Sequence, residues 1–501
     1  MGAWELHRSQ SEGDLSMKQQ LNRTRRQFMA TTIGSSLALI VGGRETAGAV
    51  EPSKPNILFI LADDMGVADL SCYGRRDYQT PNIDRLAREG LKLTHSYANC
   101  ANCSPTRFGL ITGRYQGRVQ GGLFEPLGER DGKENGLPPS HPTLPSLLKK
   151  QGYETTLIGK WDLGLLPKYS PLRSGYDHFF GVQEGGLDYF RHGPNDEVKL
   201  MDQEVPSTKT GYATNLFADR AIETIKTHAK SKVPFFISLH FNAPHWPWEG
   251  PDDEELAKNI KNPTMFDGGS LKTYAAMMKS LDDNVGRVLK ALEESKLATN
   301  TIVIFTSDNG GERFSDMWPH IGKKGELLEG GLRVPNIIRW PGKIKPNTVS
   351  DQANITMDWF PTLLAVAGGQ PDPLFPTDGE NLLPVYMGQA KPHTRKLFWR
   401  MLFGGQRAVL DGNWKYLRLW GNEFLFDVNE DPRERANLKD KHPEVMARLQ
   451  KDWETWNASM LPYPPGPGKF QGTGNNIADR PGMTPPPATP TAHTAPTSTA
   501  H

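Results

Sequence analysis

Cysteine is nearly absent from this chain: Cys72, Cys100 and Cys103 are the three in 501 residues. Three thiols cannot staple a chain of this length, so a disulfide framework is excluded and stability must come from a buried apolar core. Neither sign of charge is in excess, with 58 Lys and Arg against 57 Asp and Glu. A broad basic face for nucleic acid is therefore not expected, and any anion site must be local. The apolar stretch Ala30 to Gly43 falls short of the roughly 20 residues that cross a bilayer. A chain of this length has room for about two to four domains, or for one large α/β domain with additions.

The two ends read differently from the middle. Thr24-Arg25-Arg26-Gln27-Phe28-Met29, the short apolar run and Ala47-Gly48-Ala49 together resemble a twin-arginine signal with a small-residue cleavage site. Cleavage after Ala49, the twin-arginine (Tat) export machinery as a partner and a periplasmic or secreted destination follow as expectations. A retained membrane-surface anchor is the alternative. Met17-Lys18 would be a conventional start for such a signal, which makes Met1 to Ser16 an extension. From about Pro464 onward Pro, Gly, Thr, Ser and Ala dominate, and such a segment buries too little surface to offset chain entropy. Residues 1–49 are thus expected as a leader and 461–501 as a disordered tail.

Between the ends, Asn56 to Ala62 is an unbroken apolar run of strand length, expected as a central parallel strand buried on both faces. Tyr153 to Ile158, Pro234 to Phe241 and Thr301 to Thr306 are further strand candidates. Such strands deliver polar residues to their carboxyl ends, the edge where open α/β sheets bind ligands. Those residues are Asp63 and Asp64, then Lys160 and Asp162, His245, and Asp308 with Asn309. Helices are marked by Thr80-Pro81 and Gly90, by Thr143 and Gly152, over Tyr212 to His228 (Leu216, Ala221, Ile222 and Ile225 on one face) and over Leu271 to Leu297. Beyond about Ala390 come shorter strands, Leu397 to Met401, Arg407 to Leu410, Trp414 to Leu419 and Phe424 to Phe426, then a helix from His442 to Trp456. The hard oxygens of Asp63 and Asp64 suit Ca²⁺ or Mg²⁺, although a solvated acidic turn would explain that pair taken alone. The second pair, Asp308 and Asn309, raises the count to four oxygen-bearing side chains.

The stretch that organises the rest is Cys103-Ser104-Pro105-Thr106-Arg107, running on to Thr112-Gly113-Arg114. Ser104-Pro105 reads as a helix start, a hydroxyl cap before a proline preset to helical φ, and Gly113 as the stop. Cys103 would sit just before a helix N-terminus that favours negative charge, with Arg107 one turn along the same face. A sulfur nucleophile beside a cation at such a helix end is a place for chemistry on an anion. A buried cysteine capping a core helix, or a Cys100-x-x-Cys103 redox or metal pair, are plainer readings of the same residues.

Cys103-Ser104-Pro105-Thr106-Arg107 with Thr112-Gly113-Arg114 closely resembles the signature of the formylglycine-dependent sulfatases, arylsulfatase-like members of the alkaline phosphatase superfamily. Gly159-Lys160-Trp161-Asp162-Leu163-Gly164, Asn242-Ala243-Pro244-His245, Lys324 ahead of Glu329-Gly330-Gly331, and Phe424 to Pro432 resemble further segments of that family. The resemblance spans about residues 54 to 457. It implies an α/β fold, a large mixed, mostly parallel sheet flanked by helices over residues 50–390, with a small C-terminal α+β subdomain over 391–460. It implies conversion of Cys103 to formylglycine (3-oxoalanine) by a formylglycine-generating enzyme, the hydrated aldehyde being the nucleophile. A divalent cation, Ca²⁺ with Mg²⁺ as the substitute, would be held by Asp63, Asp64, Asp308, Asn309 and the modified Cys103. Arg107, Lys160, His245 and Lys324 would meet the sulfate, Lys323 being a one-residue competitor to Lys324. Asp282-Asp283 in the long helix would be scaffold. The implied substrate is a sulfated carbohydrate or an aryl sulfate.

One position departs from the pattern: Asp162 stands where the family has histidine. A carboxylate about 4 Å from sulfate costs on the order of 4 kcal/mol at an effective dielectric near 20. It must therefore be paired, with Lys160 for example, or held protonated, and as a general base it would still support turnover. Two further readings stay open: a phosphonate or phosphodiester hydrolase of the same superfamily, and a non-catalytic binder of sulfated glycans.

Overall fold

The computed structural model describes residues 54–193, 199–259 and 269–465; the expected leader and all of the expected tail beyond residue 465 lie outside the described residues. Among the described residues no helix is long and apolar enough to cross a membrane. Ten strands form one sheet: β1 (Asn56–Ala62), β2 (Leu91–Leu93), β3 (Glu154–Lys160), β4 (His178–Val182), β5 (Met201–Asp202), β6 (Val205–Pro206), β7 (Phe235–His240), β8 (Thr301–Ser307), β9 (Asn336–Arg339) and β10 (Thr348–Ser350). Their order is β10-β2-β9-β8-β1-β7-β3-β4-β5-β6. The four central neighbours β8, β1, β7 and β3 are mutually parallel, so their carboxyl ends share one edge. On the far side of β8, β9 runs antiparallel to both β8 and β2, which makes the sheet mixed.

The unbroken apolar run of β1 has a direct cause in this position. Ile57, Phe59 and Leu61 enter one core layer, while Leu58, Ile60 and Ala62 enter the other. Each of the Ile, Leu and Phe side chains contributes roughly 1.5–3 kcal/mol through burial. On the Leu58 side lie α1 (Pro81–Arg88) and two longer helices described below; on the Phe59 side lie α2 (Cys103–Thr112) and α3 (Leu144–Lys150). Helix α3 begins at Thr143, whose hydroxyl accepts from Ser146 N in a reciprocal capping box.

Helix α4 (Ala213–His228) buries Phe217, Ala218, Ala221 and Ile225, while Leu216 and Ile222 are half-buried, so its core stripe is rotated from the expected one. Helix α5 (Leu271–Glu294) covers the same face of the sheet. The acidic pair in α5 divides its work. The Asp282 carboxylate accepts from Asn82 N at 3.1 Å and Ile83 N at 2.9 Å, capping α1, while Asp283 pairs outward with Lys279.

A second sheet is antiparallel and four-stranded: β11 (Lys396–Met401), β12 (Gln406–Asp411), β13 (Trp414–Leu419) and β14 (Asn422–Asp427). Helix α6 (Pro443–Asn457) packs Met446, Leu449 and Trp453 on one face of it, against Val409, Tyr416 and Leu425. The other face sends Trp399, Leu417 and Phe426 into a cluster with Tyr97, Cys100 and Leu327. That cluster places this sheet directly behind the segments that carry Cys103 and Lys324.

Candidate active site

Asn102 caps α2, rather than the expected Ser104. Its side-chain oxygen accepts from Cys103 N at 2.8 Å, so Cys103 is the first helical residue and not the one before it. The Ser104 hydroxyl instead accepts from Leu127 N at 2.7 Å. Helix α2 stops at Gly113 with φ 67°, and every one of its residues is buried. The three cysteines are free, and Cys103 alone joins the polar cluster below.

Arg107 projects from α2 into that cluster at 1% exposure. Its Nε and Nη2 donate to Asp308 Oδ2 at 3.1 and 2.8 Å, and its Nη1 donates to Lys160 O at 3.1 Å. His240 Nδ1 lies 3.3 Å from the same Nη1. Lys160 ends β3, whose approach to β7 depends on Gly159. That residue has φ +100°, and a Cβ there would lie 1.8 Å from His240 O.

Lysines hold the carboxylates of β1's end. Lys160 Nζ donates to Asp63 Oδ2 at 2.6 Å and Lys324 Nζ to Asp64 Oδ2 at 2.8 Å. Of the two adjacent lysines, Lys324 is the one whose Nζ reaches Asp64. It comes from the segment before Glu329-Gly330-Gly331, whose fold depends on close backbone approach: a Cβ on Gly331 would lie 2.0 Å from Glu326 O. Asp308 Oδ1 accepts from Asp64 N at 3.2 Å, and Asn309 Nδ2 donates to Asp64 Oδ1 at 2.7 Å. Asp64 and Asp162 both adopt left-handed backbone, φ 61° and 58°, a conformation that non-glycine residues keep only where their surroundings impose it.

Burial and pairing set the charges. Burial raises Asp63 and Asp308 above the usual carboxylate range, against the pull of Lys160 and Arg107 respectively. Burial works against the charged forms of Lys160 and Lys324, but Asp63 and Asp64 respectively outweigh it, so both amines titrate above the ordinary lysine range. Asp162 is pushed up to about 6 by burial, opposed by Lys160, whose Nζ lies 3.7 Å away. Burial, then Lys324, holds His245 well below the usual imidazole range. The neutral ring donates from Nδ1 to Trp246 O at 2.5 Å, leaving Nε2 bare at 3.5 Å from Asp64 Oδ2. Burial also holds the Cys103 thiol well above its ordinary value in spite of Lys160 and Lys324, which disfavours a thiolate.

These residues fit a hard divalent cation. Asp63, Asp64, Cys103 and His245 each bring a ligand atom within 4.8 Å of the others. Asp63 Oδ1 and Asn309 Oδ1 are buried acceptors with no hydrogen-bond donor. The carboxylates of Asp63, Asp64, Asp162, Asp308 and Glu312 outnumber the cations Arg107, Lys160 and Lys324, so a divalent cation would offset the excess.

Four participants escaped sequence reasoning: Asn102, His240, Glu312 and Gln406. Glu312 lies 3.8 Å from Lys324 Nζ. His240 sat inside an apolar strand pattern and looked like core, and burial followed by Arg107 keeps it neutral. Gln406 carries no local signal at all, since its partners lie some 80 positions away in the chain.

A mixed sheet with a cysteine-headed helix, paired lysines and carboxylates at its carboxyl edge defines a hydrolase of anionic esters. The sulfatase family model matches residues 55–369, and the model described as N-sulphoglucosamine sulphohydrolase, C-terminal, matches residues 323–458. The chain belongs to the sulfatase family and is a sulfuric ester hydrolase. Arylsulfatase J of Mus musculus is 30% identical over 498 residues, covering 86% of this chain and 80% of the relative. N-acetylgalactosamine-6-sulfatase of Homo sapiens is 34% identical over 408 residues, covering 76% and 74%. The crystal structure of Ps i-CgsB in complex with k-i-k-neocarrahexaose is 29% identical with a TM-score of 0.73, covering 81% of this chain and 95% of that one.

Proposed function

We propose that this chain is an exported sulfatase that desulfates sulfated carbohydrates, using formylglycine made from Cys103 and a bound Ca²⁺, with Mg²⁺ as the substitute. The observation that carries the reading is the convergence of Cys103, Lys160, Lys324 and His245 on the Asp63-Asp64 pair. The names of its relatives support a carbohydrate substrate, N-acetylgalactosamine-6-sulfatase and the neocarrahexaose complex in particular. Export through the twin-arginine route rests on the stretch from Thr24 to Ala49. A formylglycine-generating enzyme would be the maturation partner.

Hydrated formylglycine at residue 103 would supply a nucleophilic hydroxyl, and a divalent cation, which Asp63, Asp64, Asp308 and Asn309 would hold, would supply Lewis acidity. The chain's own residues do the rest. Lys160 and Lys324, already fixed by their carboxylates, present preorganised positive charge to the sulfate oxygens. Arg107 braces Asp308 and the backbone of Lys160, so that neither carboxylate nor lysine reorganises as charge moves. His245, with Nδ1 tied to Trp246 O, keeps an unprotonated Nε2 that can accept a proton beside Asp64. Asp162, with Oδ2 free of hydrogen bonds, is placed to accept a proton.

The test has two parts. Peptide mass spectrometry on protein from a host with the maturing enzyme should find residue 103 as formylglycine in active material. A screen of sulfated polysaccharides and aryl sulfates, run beside phosphate and phosphonate esters, should show turnover of the sulfates. An unmodified thiol in active protein, or preference for the phosphorus esters, would overturn the reading.

A further inference from the structure

The segment from Gly310 to Lys323, between the end of β8 and Lys324, is held on the same edge of the sheet. Gly66 N donates to Ser315 Oγ at 2.9 Å, Ala68 N donates to Asp316 O at 3.0 Å, and Asp316 N donates to Asp69 Oδ1 at 2.9 Å. Asp69 is buried and in turn held by Arg75 at 2.8 Å and Tyr274 at 2.7 Å. The segment is therefore anchored to the residues that follow Asp64.

Its tip carries a largely exposed indole. Trp318 is 61% exposed, yet its backbone is fixed, with Trp318 N donating to Asp316 Oδ1 at 2.8 Å. Two residues on, His320 Nδ1 donates to Pro432 O at 3.0 Å, tying this tip to the turn that carries Arg433. The guanidinium carbon of Arg433 lies 4.0 Å from the centroid of the Trp318 ring. Glu434, beside it, is buried and turned to Lys415 at 2.9 Å, so it does not neutralise Arg433. Among the described residues no ion pair involves Arg433.

An indole on a fixed backbone, with an unneutralised guanidinium over one face and most of its remaining surface open, is suited to a ring with one apolar face and an anionic substituent that reaches the guanidinium past the indole edge. Trp318 precedes Lys324 by six residues, which limits their backbones to about 20 Å apart. Lys324 Nζ in turn reaches Asp64 Oδ2 at 2.8 Å, so the tip is tied by a short stretch of chain to the polar cluster, on the scale of a short oligosaccharide.

We propose that Trp318 and Arg433 form a subsite for a neighbouring sugar of the substrate chain, the indole stacking on the ring and the guanidinium taking its sulfate or carboxylate. The proposal rests on the sulfated-carbohydrate reading and deepens it: recognition extends beyond the sugar that loses its sulfate.

The test uses the full-length matured enzyme and the variants Trp318→Ala and Arg433→Gln. Their kcat and KM are compared on a small aryl sulfate and on sulfated oligosaccharides of increasing length. Each variant should raise KM for the longer oligosaccharides about tenfold and leave aryl sulfate kinetics within about twofold. Oligosaccharides carrying only carboxylates, or only sulfates, on the neighbouring sugar identify the anion that Arg433 takes. Wild-type turnover of the oligosaccharides with unchanged variants would sink the subsite alone. Equal losses on aryl sulfate and oligosaccharide would also overturn it, assigning the pair a structural role. Wild-type enzyme that hydrolyses aryl sulfate but no sulfated carbohydrate would instead overturn the functional reading beneath it.

Discussion

Gln406, on the C-terminal sheet, donates from Nε2 to Gly325 O at 2.8 Å, one residue past Lys324. The same side chain accepts from Leu327 N through Oε1 at 2.9 Å, while Gly325 N donates to Ala101 O at 2.7 Å. One glutamine thus brackets the lysine's loop, and the loop in turn touches the segment leading to Cys103. Gln406→Ala leaves two buried backbone groups unpaired, at about 1–3 kcal/mol each. The expected outcome is a kcat at least tenfold lower, with a folded protein by circular dichroism. Wild-type kcat in a destabilised variant would show that the bracket supports the fold without positioning the lysine.

Chelation should abolish turnover, because the carboxylate excess would then face the anion unbalanced. Added Ca²⁺ or Mg²⁺ should restore it and raise Tm, since only the folded chain assembles the four oxygen-bearing side chains. Elemental analysis should return one calcium or magnesium per chain. Stoichiometric zinc lost together on replacing Cys100 or Cys103 would favour a thiolate site instead.

Asp162, pushed up to about 6, sets the low-pH limb of activity if it acts as the base. A base works when deprotonated, so kcat should rise with pH through about 6 and level off above it. Asp162→Ala should lower kcat with little change in KM and remove that limb. A faster Asp162→Ala enzyme would show that the carboxylate only repels the substrate.

Glu125 tests the pH dependence of stability at a buried carboxyl outside the polar cluster itself. Its carboxylate accepts from Tyr463 Oη at 2.6 Å and Leu402 N at 2.8 Å, and burial pushes it to about 7. The folded form therefore holds its proton more tightly than the unfolded chain. Its favourable contribution is fully present below about 4.5 and is lost as pH rises to about 7, on the order of 3 kcal/mol. Glu125→Gln should flatten Tm between pH 5 and 7, and an unchanged slope would assign the pH dependence elsewhere.

The strands were legible because burial on both faces leaves an unbroken apolar run, as in Asn56–Ala62. Asp63, Asp64, Asp308 and Asn309 stood out at the ends of such runs, whereas Cys103, Arg107, Lys160, His245 and Lys324 were legible through the resemblance of their segments to the family. What escaped was chosen by tertiary partners. Ser104-Pro105 looks like a cap from local chemistry, but Asn102 takes the Cys103 N–H and Ser104 is recruited by Leu127. The antiparallel strand β9 broke no pattern that distinguishes it from a parallel one. Asp282 reads as scaffold from the sequence, but its particular task, capping α1, depends on the docking of α1 against α5.

The position of β1 at the centre of the sheet has a consequence for biosynthesis. Among the described residues it is the earliest strand of the sheet to be made, yet the strands on either side of it follow by about 179 and 245 residues. Until they emerge, a seven-residue apolar strand has two open edges, the kind of segment that pairs with other chains. Folding must therefore wait on distant contacts, and yield in a heterologous host should depend more on chaperone supply and synthesis rate than on the final stability of the enzyme.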